Sequence, residues 1–149
     1  MQQISLLAIM FFFPTDFSEN AASALDYVSE MVVAGVQKVT LLHIQDKTKI
    51  SPHLDDRLEE FNKIDKDRMH DTMKFLQDKA NVKVGVIIKY GSPSVEIIKT
   101  AKELNIKLIV MGTQGRGFVK EFFLGSVSNN VAHQSESSVL LIPPKTKDD

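Results

Sequence analysis

The sequence predicts an α/β domain in which a parallel sheet is covered by helices on both faces. Five short apolar segments alternate with segments of helical periodicity along the chain. Several of the apolar segments show little alternation of polar and apolar residues, as strands buried on both faces do. Strict alternation of strand and helix then implies parallel strands joined by right-handed crossovers. The length of 149 residues is usual for one domain.

The strand segments differ in how apolar they are. The expected strands are Leu6–Phe13, Val39–Ile44, Val82–Lys89, Lys107–Met111 and Val139–Ile142. The first, fourth and fifth are apolar nearly throughout, which is typical of strands covered on both faces. The third is more mixed, because it contains Lys83, Gly85 and Lys89, and it therefore suits an edge of the sheet.

Helix signals lie between the strand segments. The expected helices run from Ser18 to about Ala34, from Asp55 to Ala80, from Ser92 to about Leu104, and onward from about Ser126. Ser18 is a candidate N-cap, and Gly35 fits the stop of the first helix. Pro93 suits the first position of the third helix.

Two of these helices have a predicted buried face. In the second helix it comprises Leu58, Phe61, Ile64, Met69, Met73, Leu76 and Ala80. In the third helix it comprises Val95, Ile98, Ala101 and Leu104.

Composition narrows the class of protein. The net charge is −1, from 18 basic and 19 acidic residues, so the basic field typical of nucleic-acid binding is absent. There is no cysteine, which excludes disulfides and thiol catalysis and favours a reducing compartment. The apolar segment Ile4–Phe13 lacks a preceding Lys or Arg and is too short to span a bilayer as a helix. We expect a cytoplasmic protein with neither nucleic-acid nor membrane partners.

A glycine-rich segment follows the fourth strand. Met111 ends that strand, Gly112-Thr113-Gln114-Gly115-Arg116-Gly117 comes next, and Gly125-Ser126 opens the last helix. Glycine lets backbone N–H groups approach an anion closely, and the first N–H groups of a helix favour negative charge. The segment is also compatible with a plain strand-to-helix turn. The spacing G-x2-G-x9-G-S is more restrictive than such a turn requires, and it favours a phosphate site.

Two familiar phosphate motifs are missing from this segment. A Walker A loop ends in Gly-Lys followed by Ser or Thr, whereas Gly117 is followed by Phe118. The dinucleotide pattern G-x-G-x-x-G would begin at Gly115, but Lys120 stands at its last position. The sequence therefore supports neither a P-loop ATPase nor a Rossmann dehydrogenase.

In these segments the chain resembles the universal stress protein family, and its glycine pattern is similar to that of the ATP-binding subgroup. The matching segments are Pro14-Thr15-Asp16-Phe17-Ser18-Glu19, Leu41-Leu42-His43-Ile44, Gly91-Ser92-Pro93, Leu108 to Gly117, Leu124-Gly125-Ser126-Val127, and Val139-Leu140-Leu141-Ile142-Pro143. The resemblance implies an adenine nucleotide alpha-hydrolase-like (Rossmann-like) layout, with five parallel strands in the order 3-2-1-4-5 between four helices. It implies one domain over residues 1–149, with 1–9 as a possible extension and 144–149 as a tail.

The resemblance also implies a set of site residues. Those expected around the phosphates of ATP or AMP are Gly112, Gly115, Arg116, Gly125, Ser126 and Val127. Those expected around the adenosine are Pro14, Thr15, Asp16, Ile44 and Met111. Mg²⁺ would be held mainly by phosphates and water, so no protein metal ligand is expected. No catalytic residue is expected either.

Three of these residues have a structural alternative. Asp16 could cap the first helix by accepting backbone N–H bonds. Ile44 is a core residue first of all, and Arg116 could be an ordinary surface arginine.

The histidines and one aromatic cluster are expected to be structural. The four histidines, His43, His53, His70 and His133, lack metal-ligand spacing. We expect His43 to be a hydrogen-bonded histidine in or near the core, and His70 and His133 to face solvent. Phe11-Phe12-Phe13 is expected in the core or at a subunit contact.

The resemblance implies a stress-response protein that binds an adenine nucleotide and acts on an unidentified regulatory partner. A base placed to activate water is not evident, so hydrolysis is expected to be slow or partner-dependent at most. The alternatives are a structural dimerisation module with a vestigial nucleotide pocket and a slow nucleotide-cleaving enzyme. In the family the last strand pairs across a two-fold axis, which implies a homodimer through Val139–Ile142.

Overall fold

Strands and helices alternate along the chain in the computed structural model, which describes residues 10–46, 55–114 and 124–145, with residues 55–57 described by their backbone only. The strands are β1 (Phe11–Pro14), β2 (Lys38–Gln45), β3 (Lys83–Tyr90), β4 (Leu108–Gly112) and β5 (Ser138–Ile142). The helices are α1 (Glu19–Val33), α2 (Asp55–Lys79), α3 (Pro93–Glu103) and α4 (Ser126–Gln134). The predicted bounds of the last four strands hold to within about a residue. For the first strand, β1 covers Phe11–Pro14, and residues 6–9 of the expected strand lie outside the described residues.

The strands form one parallel sheet in the order β3-β2-β1-β4-β5. The predicted fold class and strand order are therefore confirmed. The mixed strand β3 lies at one edge, as its charges predict, and β5 lies at the other. The short strand β1 is central and buried throughout.

The core has two halves, one on each face of the sheet. Successive side chains of a strand point to opposite faces. Phe11 and Phe13 therefore pack under α1 and α2, whereas Phe12 packs on the face covered by α3 and α4. The prediction that the three phenylalanines lie in the core is confirmed.

The predicted buried face of α3 is partly wrong. Val95 is 57% exposed and Leu104 is also exposed, whereas Ile97, Thr100 and Ala101 are buried. Ile97 and Ala101 are four residues apart, and both pack in the cluster that contains Val131 of α4. Contact with α4, which local sequence does not encode, therefore selects the buried face.

The predicted buried face of α2 is wrong at its beginning. Met69 and Leu76 are buried, but Phe61 and Ile64 are exposed. At 25 residues α2 is about 37 Å long. The eight residues of β2 span only about 26 Å. Because α2 begins at the carboxyl edge of the sheet, its first turns extend past the strands.

The ends of the helices follow their predicted caps. Ser18 caps α1, since its Oγ accepts a hydrogen bond from the Ala21 amide at 3.1 Å. Gly35 follows α1 with a φ of 117°, a left-handed value that glycine tolerates. Ser92 is the N-cap of α3 without a side-chain bond, and Pro93 is the first helical residue, as predicted.

Beyond β5, in the segment expected to be a tail, Lys145 contacts α1. Its Nζ lies 2.7 Å from an Asp26 carboxylate oxygen. Residues 146–149 lie outside the described ranges. Among the described residues, no helix combines the length and the apolar character that crossing a bilayer requires.

Candidate functional site

The candidate site lies where the carboxyl ends of the central strands meet. The chain passes from β1 through α1 to β2 on one side, and β4 flanks β1 on the other side. In parallel α/β sheets, ligands bind at such a reversal of strand order. Six predicted site residues lie on the three strand ends at this edge, namely Pro14, Thr15, Asp16, Ile44, Met111 and Gly112.

A tight turn connects β1 to α1. The Thr15 amide donates to the Leu42 carbonyl of β2 at 2.8 Å, and the Phe17 amide donates to the Thr15 hydroxyl at 3.1 Å. Asp16 Oδ1 accepts from the Ser18 amide at 2.9 Å. Asp16 therefore has part of the structural role anticipated for it, while the cap of α1 is Ser18. Thr15 and Asp16 remain half-buried at the surface of the site.

The buried side chain of His43, in β2, contacts this turn. His43 Nδ1 lies 2.9 Å from the Thr15 carbonyl oxygen, and its Nε2 lies 3.1 Å from Asp65 Oδ2. A neutral imidazole has one N–H and can donate to one of these acceptors, whereas an imidazolium can donate to both. Gln45 Nε2 donates to the same Asp65 oxygen at 2.7 Å, and the Phe17 ring packs on His43 at 4.6 Å between centroids.

The expectation that His43 is buried and hydrogen-bonded is confirmed, and His70 and His133 face solvent as predicted. The role of Asp65 was not anticipated, because the charges of α2 were assigned to its solvent face. A signal was available, since Asp65 lies four residues before the buried Met69.

The opposite face of β2 presents an apolar surface to the site. Ile44 points away from His43, since the two are adjacent in one strand. It packs with Met111 and Val127 in the core half that is covered by α3 and α4. Ile44 is half-buried and Met111 is buried. The core role of Ile44 is thus established, and its exposed part adjoins the carboxyl edge.

The two ends of the glycine-rich segment are joined. The Gly125 amide donates to the Thr113 carbonyl at 2.7 Å, and Ser128 Oγ donates to the same oxygen at 2.5 Å. The Thr113 amide in turn donates to the Ile142 carbonyl of β5 at 3.1 Å. These bonds fix where the segment leaves β4 and where it enters α4. Gly115 and Arg116 lie outside the described residues.

The start of α4 adjoins this junction. Gly125 is its N-cap, Ser126 is exposed in its first turn, and Val127 is half-buried. A helix offers no partner of its own to the amides of its first turn, and its dipole favours an anion there. The first turn of α4 contains no acidic residue that would oppose an anion. Since the Gly125 amide already bonds Thr113, Ser126 and Val127 are the better-placed donors.

Asn20 in α1 is the site residue that sequence reasoning missed. It is only 6% exposed. Its Nδ2 donates to the Ile142 carbonyl at 3.0 Å, and its Oδ1 accepts from the Gln114 amide at 2.7 Å. A pattern signal existed, because Asn20 lies four residues before Ala24, on the buried face of α1. A polar residue on an apolar helix face needs buried partners.

At this edge the described residues bring together the carboxylates of Asp16 and Asp65, apolar contacts and backbone donors. Within the described ranges, no group of three His, Asp or Glu side chains could hold a metal ion. The arrangement suits a ligand with an apolar ring at one end and an anion at the other.

Comparison with known proteins gives a consistent result. Residues 11–143 match the model of the universal stress protein family. Universal stress protein MJ0577 of Methanocaldococcus jannaschii is 35% identical over 152 residues, covering 89% of this chain and 93% of that protein. A solved structure of MJ0577 has a TM-score of 0.81 at 34% identity, covering 95% of this chain and 100% of that one.

Two more distant universal stress proteins share the fold. One, solved in complex with cAMP, has a TM-score of 0.71 at 20% identity and covers 92% of this chain and 98% of its own. The other, from Archaeoglobus fulgidus and solved with dAMP, has a TM-score of 0.66 at 17% identity, with 92% and 99% covered. At these identities the likeness establishes the fold alone.

Proposed function

This chain belongs to the universal stress protein family, and we propose that it is a stress-response regulator that binds an adenine nucleotide at the carboxyl edge of its sheet. The observation that carries the proposal is the placement of the Thr15–Asp16 turn and the joined ends of the glycine-rich segment on neighbouring strands. The proposal includes a cytoplasmic location, which the cysteine-free sequence fits.

The adenosine would lie against β1 and β2. Asp16 would accept a hydrogen bond from the ribose, and Ile44 would contact the adenine where it is exposed. Pro14, Thr15 and Met111 would line the floor. In support, bonds within the protein, from Thr15 to Leu42 and His43, hold this turn in place. A site that is preformed in this way loses less free energy to ordering when a ligand binds.

The phosphates would lie between the glycine-rich segment and the start of α4. Ser126 and Val127 would donate to them, and Gly112, Gly115 and Gly125 would leave space for their approach. Arg116 would add a charge. Mg²⁺ usually keeps several of its waters when it binds a nucleotide, so it would be held mainly by phosphate oxygens and water. ATP or AMP would present its phosphates to this arrangement.

Two family members with known ligands support the choice of adenine. The structures solved with cAMP and dAMP contain an adenine base joined to a sugar and a phosphate. The described carboxylates of the site have structural partners, Ser18 for Asp16 and His43 for Asp65. We therefore propose that the protein holds its nucleotide and hydrolyses it slowly at most, with a regulatory partner reading the bound state.

The proposal includes a homodimer formed through β5. This strand pairs with β4 on one side and forms an edge of the sheet. Val139, Leu140 and Leu141 are only partly covered within one chain. An apolar edge strand is an aggregation hazard unless something covers it, and a second copy would do so.

Titration with radiolabelled ATP and Mg²⁺ tests the nucleotide site. Gly115→Val should abolish or strongly weaken binding, because its side chain would fill the phosphate approach. Gly85→Ala on β3 is the control, since a Cβ there meets Thr40 at an ordinary 3.7 Å. Equal binding by wild type and Gly115→Val would remove the glycine-rich segment from the site.

Asp16→Asn tests the adenosine side separately. Asparagine can still accept from the Ser18 amide, so the turn should survive while the charge is lost. Hydrogen bonds to charged groups contribute about 1.5–3 kcal/mol, so we expect adenosine and ATP affinities to fall by about tenfold or more. Unchanged affinity would leave Asp16 with its structural role only.

A further inference from the structure

Asn20 joins three segments that are far apart in the sequence. It lies in the first turn of α1, 122 residues from Ile142 of β5 and 94 residues from Gln114. Its Oδ1 also lies 3.4 Å from the Thr113 hydroxyl, which can donate to it. The side chain therefore connects the first helix to the end of the edge strand and to the start of the glycine-rich segment.

The orientation of this amide is fixed by its partners. The Ile142 carbonyl is an acceptor and must face Nδ2, whereas the Gln114 amide is a donor and must face Oδ1. A flipped Asn20 would place like groups together at both ends. Because the residue is buried, an unmatched donor or acceptor would be costly. Asn20 consequently specifies one backbone position for Gln114.

Gly112 is the structural counterpart of Asn20. A Cβ at position 112 would lie 2.8 Å from both Cγ and Oδ1 of Asn20, a distance at which something must shift. The atoms that it would strike belong to the planar amide, which its hydrogen bonds already hold. The glycine at 112 thus makes room for Asn20, a reason for its presence that does not involve a phosphate.

We propose that Asn20 is a positioning residue for the phosphate half of the nucleotide site. It acts through the Gln114 amide, one residue before Gly115, and so sets the direction in which the chain enters the glycine-rich segment. Its bond to Ile142 anchors that direction to β5. The inference rests on the proposed function and deepens it, because it predicts which part of the ligand depends on Asn20.

The adenosine half is held by different bonds. The Thr15 turn is fixed by Leu42 and His43, whose partners lie on β2 and α2. Loss of Asn20 should therefore weaken ligands in proportion to the phosphates they present. ATP should lose affinity, and adenosine should not.

The test compares Asn20→Ala with wild type by calorimetric titration of ATP with Mg²⁺ and of adenosine. Alanine preserves helix α1, so the change is confined to the amide. We expect ATP affinity to fall by about fivefold or more and adenosine affinity to stay within about twofold. The matched control is Asn62→Ala on α2, where the asparagine accepts from the hydroxyl of Tyr90 at the end of β3, a strand that contributes no residue to the proposed site. That variant should bind both ligands as wild type does.

A ligand-free measurement separates this inference from the proposed function. Asn20→Ala should accelerate hydrogen exchange at the Gln114 amide, whereas the control Asn62→Ala should not, because it leaves the acceptor of that amide in place. If wild type binds neither ligand, the proposed function fails, and the exchange rates still decide whether Asn20 holds the segment.

Three results would overturn the inference. They are unchanged ATP affinity in Asn20→Ala, parallel losses of ATP and adenosine affinity, and unaltered Gln114 exchange. If Asn20→Ala fails to fold, Asn20→Ser provides the same comparison, because serine has one polar side-chain atom where asparagine has two and cannot keep both bonds.

Discussion

At the scale of single residues, a glycine in a ligand site can be required by the protein and not by the ligand. Gly112 ends β4 in an ordinary strand and has no positive φ, so its conformation does not demand glycine. What demands it is the buried amide of Asn20. The sequence reasoning assigned Gly112, Gly115 and Gly125 alike to the phosphates, because a pattern of spacing does not show which neighbour fills the space.

Gly112→Ala should lower the free energy of unfolding by about 1–3 kcal/mol, the usual cost of overpacking a close contact. Urea denaturation measures this change. Gly85→Ala is the matched control on β3, where the added methyl group has ordinary contacts and should be neutral or slightly stabilising.

The cause of that cost can be checked in a second background. In Asn20→Ala the obstructing amide is gone, so Gly112→Ala should cost clearly less there than in wild type. The same cost in both backgrounds would show that the methyl group clashes with something other than Asn20.

Other residues show where sequence reasoning succeeds at this scale. His43 was expected to be hydrogen-bonded because it lies in an apolar strand, and it is. Its partner Asp65 was not foreseen, and neither was Asn20, because both bond across long stretches of chain. A residue's own neighbours in sequence indicate that it needs a partner, but not which one.

At the scale of elements, helix starts are the most predictable feature because capping is local. Ser18 and Ser92 both occupy N-cap positions, as the sequence predicts. The side chain of Ser18 accepts a bond from Ala21, whereas that of Ser92 makes no cap bond. In α3, Pro93 supplies the start by its fixed φ and lacks an amide hydrogen to be capped.

Ser18→Ala should therefore destabilise the protein by about 1 kcal/mol, the typical loss for an N-cap hydroxyl. Ser92→Ala should stay within about 0.5 kcal/mol of wild type. Thermal or urea unfolding of the two variants, side by side, gives the comparison. Equal losses would mean that the two serines stabilise their helices through something other than the cap bond.

Buried faces are less predictable than helix starts. The helical periodicity predicts that four apolar residues are buried, but all four are exposed in the structure, namely Phe61, Ile64, Val95 and Leu104. The reason for Phe61 and Ile64 lies in the mismatch between the lengths of α2 and β2. Such a mismatch is a property of two elements together, and the pattern within either one does not contain it.

At the scale of the whole molecule, the alternation of strands and helices was enough to predict a parallel sheet, and the family resemblance supplied the strand order. Both are confirmed. The position of the site at the carboxyl edge follows from that order. The strand order does not determine whether the sheets of two copies of the protein pair through β5.

The proposed dimer can be tested at one backbone donor. The Ser138 amide donates to the carbonyl of Lys107, the residue before β4, so the next amide along the strand, that of Val139, points to the open side. Val139→Pro removes that donor and should give monomers in light scattering at micromolar concentration while the sheet survives. Val139→Ala keeps the donor and should remain dimeric.

Circular dichroism establishes that each of these variants is folded. A folded Val139→Pro protein that stays dimeric would place the interface elsewhere. A monomeric wild type would contradict the dimer itself.

The carbonyl of Ile142 accepts bonds from Asn20 and from Thr113, and this has a consequence for the order of events during synthesis. The turn after β1 and the start of α1 are among the first parts of the fold to be translated, yet the partner that completes their arrangement belongs to the last strand. A chain still being translated, or broken before β5, would contain most of the fold but leave Asn20 without its acceptor. Full affinity for ATP would then be reached only when the last strand of the sheet has been made and has docked, so that ATP affinity would report a completed sheet.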